Sequence, residues 1–585
     1  MKYGNFDLRR GDHDGKSQQN TPPRWGGIDN PAIQQETAET GWAGTSGSTV
    51  SLTIPEHVRQ LQEDLQTLGF AIVGTPDGSF GKSSEWAVRE FQIYARMAHV
   101  ARVKETKIGQ LLLTSTGASK IVNNSEIYYD SSAHVVVQAG QAPNTPGPND
   151  ELKSYYVDSL EQVANDYFYT GPVSGVVDSV TRATIECWLE NHYRCPVVIE
   201  AWSVNQSGAR TALSDGGSNL WKHDSFTSSA PRIFARDFTQ YYTYPATRPT
   251  FQYHAIGYYD TQGGPNATQK HSWAPEAEMT VENMLGAPAD PQQVNTAPLS
   301  TYRVVRVVAE AECYGRFDVI NAWDNSLVSA GPCHWTMGAS NGNEYDKAEF
   351  PAFIAYLADR SEAGFSQAFK HFGLYPEYEW GHEDIHSSST RTYNSWLKLT
   401  NETHVSSQPT HAETEFNPVL KAKTEAAYLK GWHWIYRISM AGRTIPEYRQ
   451  AMWEMAKQRI RDIRSRSVSF QVDIDTINST LGEIFTSEKA VAILLRWHVF
   501  RPSHVVNPAY DRVTAAIQDA INSNPSIDWQ LQISNWADAH ESALTERLLT
   551  AASAVNNTVS TSILFGAGQP QGSVRTGRGT FLMDT

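Results

Sequence analysis

The chain has 585 residues, 40% of them hydrophobic and 11% aromatic, with a formal charge of −15. That length exceeds what one hydrophobic core organises, so roughly two to four domains are expected, and 17 Trp, 26 Tyr and 21 Phe exclude a tail-like, unfolded chain. The negative charge argues against nucleic acid and anionic lipid as partners, because both demand a basic face.

No apolar run reaches the ~18 residues of a membrane span. The opening MKYGNFDLRRGDHDGK has no apolar core of the signal-peptide kind, so the expectation is a chain made in the cytoplasm without Sec export. Four cysteines, Cys187, Cys195, Cys313 and Cys333, are too few for a disulfide scaffold and fit no zinc spacing; buried free thiols are the simpler reading. A Cys313–Cys333 bridge stays open for an oxidising compartment.

Residues 1–50 are expected to be a flexible segment, since 15–50 are rich in Gln, Thr, Gly and Ser without apolar periodicity. IPEHVRQLQEDLQTLGF then sets Val58, Leu61, Leu65 and Leu68 on one helical stripe ended by Gly69. After the turn-rich GTPDGSFGKSS, EWAVREFQIYARM gives a second helix with Ala87, Val88 and Phe91 inward. Gly74 to Ser83 is no Walker A loop, because Pro76 stands where its first glycine belongs. The loop-then-helix pattern recurs in GPVSGVVDSVTRATIECW, aligning Phe80 with Val177, Ser84 with Thr181, Val88 with Ile185 and Phe91 with Trp188. A weak internal repeat accounts for this.

These residues resemble a known family. VRQLQEDLQTLGF…DGSFGKSSEWAVREFQ is similar to the small three-helix peptidoglycan-binding domain, and LRRGD at 8–12 resembles the opening of that motif, displaced by the Gln/Thr-rich insertion. The resemblance implies a wall-binding region over 51–202, with one copy at about 51–100 and a degenerate copy at about 150–200. It also implies Asp77, Gly78, Phe80, Gly81 and Phe91 as wall-binding residues and peptidoglycan as the partner. The second copy departs from the motif, with Asp178 where Gly81 stands.

Residues 203–300 are Tyr-, Pro- and Thr-rich and read as a connecting segment of short extended pieces. Their aromatics fit a small sheet core or, less simply, a sugar groove. Residues 300–315 and 345–550 read mainly as helix, with one stripe of Met452, Met455, Ala456, Ile460 and Ile463 and another of Val491, Leu494, Leu495 and His498. His498 and the run GWHWIYRI are expected in the core. Residues 551–585 are expected to be a loosely held tail.

One stretch breaks the apolar pattern. In YRVVRVVAEAE, Val305 and Val308 share a face with Glu312, whereas Glu310 falls in line with Arg303 and Arg306. Glu312 should therefore point inward at the helix end, closed by Gly315. A carboxyl group in apolar surroundings keeps its proton, as a general acid must. RFDVINAWDNSLVSAGPCHW next alternates about a D-N-S turn, as a β-hairpin does. It would bring Asp324 or Asp318 before Glu312, and two carboxylates about a scissile bond are the minimal glycosidase.

A helix ending in Glu, a small hairpin and a helical lobe resemble the lysozyme-like superfamily. Glu312-Cys-Tyr-Gly is similar to its glutamate motif, and Ser329-Ala-Gly-Pro-Cys-His-Trp to its Ser-x-Gly turn, with His334 where Gln is usual. The resemblance implies Glu312 as general acid, Asp324 as second carboxylate, and support from Asp318, Ser329 or His334, without metal or cofactor. It leaves hydrolysis and lytic transglycosylation both open.

A rival motif is His382-Glu383-Asp384-Ile385-His386, an HExxH string of the zinc-peptidase kind. Gly381 and Ser387 to Ser389 suit the required helix poorly. The expectation is thus a mainly α (α+β) protein with a lysozyme-like catalytic domain at 301–550 behind wall-binding modules. It would cut the glycan backbone of peptidoglycan, delivered by a phage particle or a contractile secretion machine. A zinc peptidase and a non-catalytic wall-binding protein are the alternatives.

Overall fold

The structure, a computed structural model, describes residues 3–4, 7–14, 56–113, 119–121, 151–204, 210–212, 232–239, 252–258, 277–285, 296–321, 328–337, 349–378, 409–414, 427–555 and 574–584. The described residues are mainly helical with small sheets, and none of their helices is long and apolar enough to cross a membrane. The chain forms two units, Met1–Gln269 and Lys270–Thr585.

In the first unit the expected stripe forms the helix His57–Thr67, with Val58, Leu61, Leu65 and Leu68 buried. It ends as a Schellman turn, in which Phe70 N–H donates to Leu65 O and Gly69 N–H to Gln66 O. The start of the helix is capped from far away in sequence. Glu56, the formal cap, makes no side-chain bond, and instead the Asp14 carboxylate accepts the amides of Val58 (3.0 Å) and Arg59 (2.9 Å). Residues 8–14 also run against the next loop, Gly11 N–H donating to Phe80 O and Phe80 N–H to Asp12 O. Part of the segment expected to be flexible is thus built into the module, as the LRRGD resemblance implies.

The repeat has a physical centre. Gln62 Oε1 accepts the amides of Asp77 and Gly78 (2.9 Å each), while its Nε2 donates to Ser79 O and Ser84 Oγ (3.0 Å each). Gln92 does the same one copy on: Ser174 and Gly175 amides on Oε1, Val176 O and Thr181 Oγ1 on Nε2. Each glutamine is one side chain satisfying a whole loop. Gln92 lies on the helix Lys82–Tyr94, which is therefore the last helix of the first copy and the first of the second. The sequence reading placed the second copy at about 150–200; its opening helix lies instead at 82–94. An antiparallel ladder of His99–Leu113 with Glu151–Ala164 separates it from its loop.

The aligned pair Gly81 and Asp178 both stand at helix starts, and only Asp178 caps with its side chain, accepting Thr181 N–H at 2.7 Å. Phe70, Phe91, Trp188 and Tyr193 interlock edge to face between the copies, Phe91 to Trp188 at 5.2 Å. The connecting segment is not one piece. Val197–Val204, Arg210–Ala212, Arg232–Asp237 and Gln252–Tyr258 form one antiparallel sheet of the first unit, and the second unit takes the chain from Lys270.

In the second unit the helix Thr296–Cys313 packs on Glu488–Phe500, and Pro446–Ser465 packs on Glu349–Arg360. Both expected apolar stripes are buried, His498 among them. Arg459 Nε donates to His498 Nδ1 at 2.9 Å, and burial with this guanidinium beside it holds the imidazole well below its ordinary pKa. Trp432, Trp434 and Tyr436 are core, and Arg437 lies over the rings of Phe372 (4.7 Å) and Trp434 (4.9 Å).

Two hairpins interrupt the region read as helix. One pairs Leu374–Tyr378 with Pro409–Thr414. The other pairs Ser467–Val472 with Asp475–Thr480, burying Val468, Phe470 and Val472 in strict alternation. The expected loose tail is also corrected: residues 574–584 are tied to the helices. Arg575 and Arg578 pair with the fully buried Glu488 and Glu541, while Leu582 N–H donates to Ser300 Oγ at 3.0 Å.

Candidate functional site

Glu312 occupies the last turn of the helix Thr296–Cys313. The buried face of this helix is Val304, Val305, Val307 and Val308. Glu310, half-buried itself, pairs with the buried Arg306 one turn back. Glu312 points inward, its side chain only 7% exposed. The helix stops in two left-handed residues, Tyr314 (φ 54°) and Gly315 (φ 61°), and Gly315 N–H donates to Ala309 O at 3.0 Å. Glycine suits 315, since the position is left-handed and a Cβ there would press on the Arg306 guanidinium. Beyond it, residues 277–279 run beside 315–317, with Met279 N–H on Gly315 O (2.9 Å) and Phe317 N–H on Ala277 O (2.8 Å). The unit that holds Glu312 thus takes in residues before the expected boundary at 301.

The hairpin expected after Glu312 is a small antiparallel sheet, with Val328–Ala330 in the centre, Ile320–Asn321 on one side and Trp335–Met337 on the other. The turn from Gly331 to His334 is fixed on three sides. Gly331 is left-handed (φ 79°), and a Cβ on it would strike the Trp335 ring at 2.7 Å and Met452 Sδ at 2.9 Å. Arg459, itself paired with Glu349, donates to Cys333 O at 3.4 Å. His334 is the second strained residue of the site (φ 51°).

This turn brings His334 Nδ1 to 2.9 Å from Glu312 Oε2. The other oxygen, Oε1, is held by Arg496 Nη1. The surroundings of Glu312 are therefore not apolar, as the sequence suggested. A guanidinium and an imidazole face its two oxygens. Burial in turn lowers the Arg496 pKa to about 10. Arg496 escaped the sequence reading, although it is the one charge inside AVAILLRWHVF, a run that otherwise reads as core.

The remaining expected residues fall in different places. Asp318 is fully buried and paired with Arg443 (Nε to Oδ2, 2.6 Å), whose side chain is equally enclosed. This pair joins the post-helix turn to the helix Trp432–Thr444 and gives Asp318 a role in stability. Ser329 is buried in the central strand opposite Asn321 and Thr336, where it supports the sheet. Asp324 lies outside the described residues, as do His382, Glu383 and His386. Among the described residues no group of three or more His, Cys, Asp or Glu side chains is placed to hold a metal. Cys313 and Cys333 are free, buried thiols, each pushed up to about 12 by burial.

In the first unit the loop residues Asp77 and Gly81 are exposed, whereas Gly78 is buried and left-handed (φ 74°). Asp77 Oδ1 takes Gln62 Nε2 and Ser79 N–H, both at 2.9 Å. Phe80 and Phe91 are core side chains, 1% and 0% exposed. Rings so enclosed belong to the core of the module.

Compared with known proteins, residues 55–98 match the family model of the peptidoglycan binding domain. Neither the curated proteins nor the solved structures give a significant match. The matched span holds the helix His57–Thr67, the Gln62-centred loop and the helix Lys82–Tyr94, so the chain carries a peptidoglycan-binding domain and with it a means of associating with the cell wall.

Proposed function

We propose that this protein is a wall-targeted muramidase, cutting the glycan of peptidoglycan with Glu312 as catalytic carboxylate and Asp324 as the second. The reading is carried by the convergence at Glu312: a nearly enclosed carboxylate at a helix end, faced by the turn of a small sheet that puts His334 on one of its oxygens. The lysozyme-like resemblance implies a helix ending in this glutamate with a small hairpin before it, and it has glutamine where His334 stands. The wall-binding domain supplies the substrate class, and tethering raises the local concentration of enzyme on an insoluble polymer. In the pairing with Arg496 and His334 the carboxylate is suited to accept a proton or to stabilise positive charge on the sugar. Donating a proton to the glycosidic oxygen requires Arg496 to release Oε1 first.

A second reading rests on the same pair. Glu312 and Arg496 also serve as a buried structural ion pair, in a wall-binding protein without catalysis. Mass spectrometry of peptidoglycan digested with the protein and with Glu312→Gln separates the two. A muramidase leaves reducing sugar ends, a lytic transglycosylase 1,6-anhydro ends, and the folded variant neither. Wall lysis by folded Glu312→Gln at the wild-type rate overturns the assignment.

A further inference from the structure

The chain end from Val574 to Asp584 reads VRTGRGTFLMD and lies against the second unit as a peptide without helix or strand. Its main chain and side chains are both received by that surface. Arg575 donates its backbone N–H to Glu488 Oε2 at 2.8 Å and its Nε to Oε1 at 2.9 Å. Arg578 directs Nη1 to Glu541 Oε2 and Ile484 O, and Nη2 to the carbonyls of Glu483 and Ile533, each at 2.9 Å. Further on, Phe581 N–H donates to Thr486 O (2.9 Å), Leu582 N–H to Ser300 Oγ (3.0 Å) and Asp584 N–H to Thr301 Oγ1 (2.9 Å). Phe581 itself is buried under the Arg464 guanidinium. The strap thereby ties the helix that carries Arg496 to the helix that carries Glu312. The two receiving carboxylates, Glu488 and Glu541, are fully enclosed, and an enclosed carboxylate requires a partner. The stretch before the strap, GAGQPQGS at 566–573, has the composition of a linker, so the contacts themselves place the strap.

We propose that this groove is a peptide-binding site for a segment with two arginines three residues apart followed by a phenylalanine. Residues 574–584 are its intramolecular ligand, able to leave and to be replaced by a free peptide of the same sequence. The site stands apart from the glycan-cutting reading. Main-chain bonds supply the affinity, and the enclosed carboxylates supply the choice of side chain. One guanidinium at 578 serves a carboxylate and three carbonyls at once, which the compact ammonium of lysine does not reproduce.

The test uses the full chain with a specific protease site in place of residues 566–573, cleaved after folding, so that the strap is held by its contacts alone. A fluorescent synthetic peptide of residues 572–585 is then added. Binding is read by anisotropy, displacement of the strap by gel filtration, and folding by thermal melting before and after cleavage. The wild-type peptide should enter the cleaved protein and displace the strap. Uncleaved protein should take it up about a hundredfold more weakly, because the tether keeps the strap at an effective concentration near millimolar. Peptides carrying Arg578→Ala or Arg578→Lys should bind the cleaved protein roughly a hundredfold more weakly, since each leaves enclosed acceptors without their donor. A cleaved protein that keeps its melting temperature and takes up no peptide overturns the proposal, because the strap is then a fixed part of the fold. Loss of the strap on cleavage with no rebinding of peptide overturns it too, as does equal binding of the wild-type and Arg578→Ala peptides.

Discussion

Glu310 and Glu312 are two residues apart on one helix and differ in what surrounds them, so they form a controlled pair. Glu310→Gln loses a pairing with the buried Arg306, which lies apart from the Glu312 carboxyl, and should change wall lysis by no more than about twofold. Glu312→Gln should lower it by roughly two to four decades, the usual contribution of acid–base catalysis. The same change leaves Arg496 enclosed without its counter-charge, so it should also cost about 3–5 kcal/mol of stability. Glu312→Gln combined with Arg496→Gln should recover part of that stability and none of the activity, which chemical denaturation and lysis assays resolve. His498 gives a pH signature. Its folded pKa lies well below 6.5, so only the unfolded chain gains a proton as pH falls past that value. Stability is thus full above about pH 6.5 and declines below it, by up to about 1.4 kcal/mol per pH unit. His498→Gln, which keeps an acceptor for Arg459, should flatten that slope in melts between pH 7 and 5.

At the scale of elements, the helix His57–Thr67 depends on a residue more than forty positions upstream. Asp14→Ala removes both of its amide caps and should destabilise the first unit by about 1 kcal/mol, seen as faster hydrogen exchange at Val58 and Arg59. Gln62→Ala and Gln92→Ala should each cost about 1–3 kcal/mol, because either change strands several buried loop groups at once. Similar losses at the two positions would bear out the equivalence of the copies. The pair VRQLQ and VREFQ, thirty positions apart, was legible in the sequence. A helix serving both copies was not expected, because a linear alignment assigns each segment once. The hairpin Ser467–Thr480 was equally legible in its alternation and was obscured by the long helical stripes around it.

For the whole molecule, the division at Gln269 and Lys270 matters to any dissection. A cut at 202 would sever the strand Val197–Val204, whereas a chain beginning at Lys270 respects the boundary. Such a chain should lose much more activity on intact sacculi than on soluble glycan, since only the polymer rewards tethering. Equal losses on both substrates would reject the tether. At the other end, deleting residues 574–585 strands the buried carboxylates of Glu488 and Glu541. It should cost about 3–5 kcal/mol, whereas a loose tail would leave the melting temperature unchanged.

The sequence by itself determined the wall-binding motif, the apolar stripes and the inward turn of Glu312, because each is a local matter of periodicity and turn chemistry. Neighbours at 3.6-residue spacing decide which face a helix buries, whatever packs on it. Only the tertiary structure decided what meets that face. Arg496 lies 184 positions from Glu312, Arg443 lies 125 from Asp318, and Arg575 closes on Glu488 from near the chain end. A charge in an apolar run signals that a partner is needed. Which partner it finds is set by how helices distant in sequence pack together, and that is why the acid expected in apolar surroundings is held between a guanidinium and an imidazole.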